Sequence, residues 1–316
     1  MRISTSKKNA FSRGEIAYIN NVINTIPSDL PSVTYLPFHW EAAPHTLENK
    51  LLRTIKNNQI SLQHYIDQDQ FDISAVHDDS PYFYKVKRGI PDDYLWLLSG
   101  ISLFALLVVV IPYSRIKKKI KINNLKILIF SLTIFICIGL GFMILEVTLF
   151  QKLVLYLGSP TISLSILLSS LLISMGIGSF SGNKIFPHNF KKRIGTISLL
   201  IVATGVFCIL IYPVLLNNLL AYSQVLRSLI SFFLLVPFGF LLGILFPSSI
   251  QILQNNNLNM YIPWMYGVNG IMSVLGSILA VIFSMLFGFT PAFFVGLSMY
   301  LVIFIISQTI IRTTPL

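Results

Sequence analysis

Acidic residues nearly vanish from this chain after its first third. Eleven of the 12 Asp and Glu residues fall within positions 1–93, and after Asp93 the only carboxylate is Glu146. A body with so few carboxylates cannot build a carboxylate-rich metal centre or a mixed-charge solvated surface. Cysteine is almost as scarce. Cys137 and Cys208 are the only two, and both sit in apolar runs, where a thiol packs as a small hydrophobe. They make neither a disulfide framework nor a metal site. The five histidines (His39, His45, His64, His77 and His188) show no helical i, i+4 pair of the kind that ligates zinc. Charged residues of both signs are only 11% of the chain. What fills the space is hydrocarbon: 54% of residues are hydrophobic and the mean hydropathy is +0.74, far from a soluble globular mix.

The deficit divides the chain into a polar head, 1–93, and a transmembrane body, 94–316. The head carries 10 basic and 11 acidic groups, so the net charge of +11 belongs to the body. That excess is juxtamembrane Lys and Arg, and nucleic acid is not an expected partner. A bilayer core needs about 20 apolar residues in a helix. The hydropathy pattern predicts seven such spans, at 94–113, 126–149, 159–181, 194–216, 227–249, 264–288 and 291–311. The second and third are expected to be joined by a loop, QKLVLYLGSP. Ten of the body's 13 basic residues cluster in 115–126 and 184–193. The positive-inside rule places those two loops and the C-terminus in the cytoplasm. It places the head outside if the first segment spans, although MRISTSKKNAFSRGE lacks a signal-peptide core. The expected localisation is a multi-pass protein of the cytoplasmic (inner) membrane, with the lipid bilayer as its partner.

Polar groups inside the spans are the candidate site. Glu146 is first among them, because a carboxylate in hydrocarbon is costly and usually functional. Lys152 and Asn269 join it as intramembrane polar candidates. Glycines recur at close-packing spacing: Gly139 and Gly141, then Gly176, Gly178 and Gly182, then Gly239 and Gly243, then Gly267, Gly270 and Gly276. They are expected at helix–helix contacts. The run from Gly176 to Gly182 imitates a nucleotide-binding glycine loop, but it ends a long apolar helix instead of following a strand.

The head reads as a small α/β fragment. Ser12 and Glu15 form a capping box for a helix over 11–26, VTYLPF reads as a strand, and 45–58 as a second helix. One strand and two helices bury too little for a strong independent core. Asp78 and Asp79 are the one paired carboxylate, read as a solvated turn before Pro81.

Four stretches together carry a family resemblance. They are Gly139–Pro160, with Glu146, Gln151 and Lys152; Trp264–Ser277, with Asn269; Asp78-Asp79-Ser-Pro81; and the helix opening at Phe11. Their order resembles the membrane-bound, spermidine-synthase-like proteins of bacteria, in which a methyltransferase-like Rossmann domain precedes a closing bundle of transmembrane helices. The resemblance makes Asp78, Asp79, Gln151 and Trp264 family-motif positions. It also implies that the adenosyl-cofactor site and the catalytic aspartate would lie upstream of Met1, so no catalytic, cofactor-binding or metal residue is assigned here. The chain is then expected to be the C-terminal portion of an aminopropyltransferase- or methyltransferase-like protein, not an enzyme by itself. A separately encoded Rossmann-domain half is the implied partner. The alternatives are an independent small-solute transporter or channel, and an inactive truncated remnant.

Overall fold

The computed structural model describes residues 90–117, 121–185 and 190–313. All of them belong to one compact unit, Ala75–Leu316. The expected α/β head, with its Ser12–Glu15 capping box, its strand and the Asp78–Asp79 pair, lies outside the described residues. Among the described residues the structure is helical, with no strand.

Seven long helices follow one another. The first, α1, runs Asp92–Lys117, with two acids in its first turn and Arg115 and Lys117 in its last. Charges so placed oppose the helix macrodipole at both ends. Next, α2 spans Ile122–Leu157, 36 residues. At 1.5 Å per residue that is about 54 Å, well beyond a hydrocarbon core of about 30 Å. It stops where the chain can turn: Gly158 takes φ 75, a left-handed conformation, and its N–H donates to the Val154 carbonyl. Pro160 then opens α3, Pro160–Ile185, at a position where its missing N–H costs nothing. The remaining helices are α4, Phe190–Leu219, and α5, Gln224–Asn255. A single turn at Asn259–Tyr261 leads into α6, Ile262–Phe287, and Gly288 at φ 93 separates that from α7, Phe289–Thr313. All seven are long and apolar enough to cross a membrane.

The helices depart from the expected limits by a few residues at most ends, and most at two places. The second span continues past residue 149 to 157, so Gln151 and Lys152 lie in helix and the connection shrinks to Gly158 and Ser159. LVLYL after Lys152 is apolar and a good helix former, and nothing breaks the helix before Gly158. The fifth span likewise continues to Asn255, through residues expected in a loop.

The most extensive pairings are α3 with α5 and α2 with α6. Further contacts join α2 to α7, α5 and α3, and α4 to α5 and α7, while α1 packs chiefly on α6. Glycines set the closeness of the two main pairings. A side chain at Gly178 would collide with the Phe240 backbone, and one at Gly243 with the Met175 backbone. These are the contacts that small residues permit between helices in lipid. Gly176, Gly267 and Gly270 depart from the expectation, since nothing lies within 4 Å of a Cβ built on them. They share helices with buried glycines but sit on the opposite faces. One buried apolar cluster spans α2, α3, α4, α5 and α7. A second joins Ala105 of α1 to Phe135, Leu253, Met265, Val268 and Met272.

Candidate functional site

The two longest motif stretches meet in the α2–α6 interface. Asn269 Nδ2 donates to the Phe135 carbonyl at 3.1 Å. A Cβ on Gly139 would lie 2.5 Å from the Asn269 carbonyl oxygen, and one on Gly276 would lie 2.8 Å from that of Leu140. Gly139 and Gly276 therefore let the two backbones touch. The amide of Asn269 uses that closeness to reach a main-chain acceptor on its neighbour. Ser273 Oγ donates back to the Asn269 carbonyl at 2.9 Å. Asn269 is thus placed as helix-to-helix glue, which in lipid is a common use for a single amide.

Lys152 belongs to a second polar cluster, at the C-terminal end of α2. Its Nζ donates to Thr290 Oγ1 of α7 at 2.7 Å and lies 4.8 Å from the centre of the Tyr212 ring of α4. The Lys152 side chain is 6% exposed. The Tyr212 hydroxyl donates to the Lys152 carbonyl at 2.8 Å. One turn on, Arg227 Nη1 of α5 donates to the Tyr156 carbonyl at 2.6 Å, and Gln224 Nε2 donates to the Leu157 carbonyl at 3.3 Å. The last carbonyls of a helix have no intrahelical partner and carry its negative end charge. Here α5 supplies a guanidinium and an amide to them, while the α4 hydroxyl reaches the Lys152 carbonyl one turn earlier. Among the described residues, the Tyr156 hydroxyl and Arg227 Nε are buried without a hydrogen-bond partner.

Glu146 stands apart from both clusters. It is half-buried on α2, and no hydrogen bond joins it to another described residue. It lies six positions before Lys152, about 9 Å along the axis and about 120° around it. The three candidate polar residues are therefore not one site: Asn269 faces Phe135, Lys152 faces α4 and α7, and Glu146 occupies a third face. Gln151 is half-buried beside Lys152.

Trp264 opens α6 and reaches α1. Its Nε1–H donates to the Val108 carbonyl at 2.9 Å. In an uninterrupted α-helix that carbonyl would accept from residue 112, which here is Pro112, with no N–H to give. The indole supplies the missing donor. In the sequence, Trp264 stands out only through its motif. A proline inside an apolar span, four residues beyond the carbonyl it frees, was the signal that could have found its partner.

At the start of α4, Arg193 is 3% exposed and its Nη1 donates to Gln251 Oε1 of α5 at 3.2 Å. Both cysteines are buried and free. Among the described residues, no group of three or more His, Cys, Asp or Glu could hold a metal. No protein family model, no curated protein and no solved structure matches the chain.

Proposed function

We propose that the bundle is the membrane-embedded portion of a spermidine-synthase-like protein of the bacterial inner membrane. It holds a transferase assembly at the bilayer and does not itself transfer an aminopropyl or methyl group. One observation carries this reading. The stretches 139–160 and 264–277, which bear the resemblance, are far apart in the chain, yet Gly139 against the Asn269 backbone and Gly276 against the Leu140 backbone bring them into contact. Motif residues of a structural module are expected to meet in this way. The polar groups also support it, because Lys152, Arg227, Asn269 and Trp264 are each engaged with the backbone or side chains of another helix.

The test is affinity purification of the tagged chain from its source membrane, followed by calorimetric titration with decarboxylated S-adenosylmethionine. The expected result is a co-purifying Rossmann-fold partner, saturable cofactor binding by the complex, and none by the chain purified alone. Saturable micromolar binding by the chain alone would overturn its non-catalytic role. A chain without such a partner that drives saturable spermidine uptake into proteoliposomes would replace the proposal with the transporter reading.

A further inference from the structure

α1 is attached to the rest of the bundle in a way no other helix is. It is as apolar as its neighbours, yet only 6% of its membrane window is buried, and Ala105 is its single buried residue. Leu103, Phe104, Leu106 and Leu107, within little more than one turn, are all exposed. Its one glycine, Gly100, meets nothing within 4 Å, so α1 has no close backbone approach of the kind that holds α3 to α5. Between apolar helices in lipid there is no hydrophobic drive to associate, and packing or hydrogen bonds must do the work. α1 has little packing. What it has is a main-chain carbonyl at Val108 whose α-helical donor position is Pro112, and the Trp264 indole donating to it.

We propose that α1 is a releasable element of the bundle, and that the Pro112-vacated carbonyl with Trp264 is the latch that docks it on α6. The pair differs from an ordinary interhelical hydrogen bond. An intact helix carbonyl keeps its own N–H when the neighbour leaves. The Val108 carbonyl has a proline where its α-helical donor would be, and the hydrocarbon around it offers no replacement donor. Undocking therefore exposes an unsatisfied acceptor, and this is what biases α1 to the docked position. The inference is independent of which family the chain belongs to. It makes Trp264 a positioning residue and gives Pro112 a role that helix propensity alone would count as a defect.

The logic makes a coupled prediction. Trp264→Phe removes the donor. Pro112→Ala restores the N–H, so the Val108 carbonyl is satisfied whether α1 is docked or not. Each change removes the same bias, and the two together should do no more than one. Spin labels at the exposed positions 103 and 274, with Cys137 and Cys208 replaced by alanine, report the distance from α1 to α6 by double electron–electron resonance in liposomes. The expected result is one narrow distance for the parent, a broad or longer distribution for either single variant, and the same distribution for the double variant. An unchanged narrow distance in Trp264→Phe would overturn the latch, as would a double variant whose broadening is the sum of the two. Pro112→Ala favours helix, so it keeps the test decisive if Trp264→Phe fails to fold.

Discussion

α1 and α2 have nearly the same mean hydropathy in their membrane windows, 2.5 and 2.7, yet 6% of one and 61% of the other is buried. Apolar content, then, determines that a segment can enter a bilayer and says little about what it touches once there. The difference lies in small residues and in polar groups that reach across. α2 offers Gly139 to α6 and Gly141 to α7, receives the amide of Asn269 midway, and ends in a ring of side-chain donors. α1 offers a glycine that meets nothing and receives one indole. A central helix and a peripheral one are separated by a handful of residues that a hydropathy scale does not weigh.

The comparison is broken most severely at the glycines. Gly139→Leu should cost about 3 kcal/mol or more, because the new side chain must displace the Asn269 backbone, and overpacking against main chain has no cheap relaxation. Gly100→Leu on α1 should not lower thermal stability in detergent, and helix propensity should raise it slightly. Equal losses from the two would show that α2 is not the more tightly packed helix. Next in size is the end of α2. Arg227→Leu should lower stability by about 2 kcal/mol, the worth of a charge-assisted hydrogen bond to a carbonyl with no other side-chain donor. Lys152→Met should cost less, since methionine fills most of the buried volume of the lysine stem. Denaturation midpoints in one detergent rank the two variants, and a neutral Arg227→Leu would remove the helix-end explanation.

Within α6 the contrast can be sharpened on a single helix. Gly276→Ala puts a methyl group 2.8 Å from the Leu140 carbonyl oxygen and should lose about 1–2 kcal/mol. Gly267→Ala faces open space and should gain a few tenths of a kcal/mol from helix propensity. Opposite signs in thermal shift are expected, and matching signs would mean that the α2–α6 contact is looser than described. The smallest effect belongs to Glu146. Glu146→Gln should change stability by no more than about 0.5 kcal/mol, as for a substitution away from any hydrogen-bonded network. A loss of several kcal/mol would show that Glu146 is structurally engaged in the assembled protein.

Much of the architecture was legible beforehand. All seven expected spans have a corresponding helix, because about 20 consecutive apolar residues leave the backbone few other ways to satisfy its hydrogen bonds in lipid. Gly139, Gly178, Gly243 and Gly276 were rightly expected at contacts, while Gly176, Gly267 and Gly270 were expected there and are not. The seven lie on helices of the same composition, and spacing alone does not say which way a face points. Lys152 was expected in a connecting loop beside Gln151, whereas it sits inside α2, because the apolar residues after it carry the helix on to Gly158. Tyr212, Arg227 and Thr290, which gather around the end of α2, drew no notice as sequence, being single polar residues near the ends of three different segments.

By itself the sequence determined the number of spanning helices, their approximate limits and the concentration of basic residues in two connections. These are properties of one segment at a time, summed over its residues. Only the tertiary structure decided that Asn269 meets Phe135, that the end of α2 is closed by α4, α5 and α7, and that Trp264 fills the gap left by Pro112. Each of these is a pairing between residues far apart in the chain. A pairing depends on the rotation and depth of two helices at once, and local composition carries no information about either.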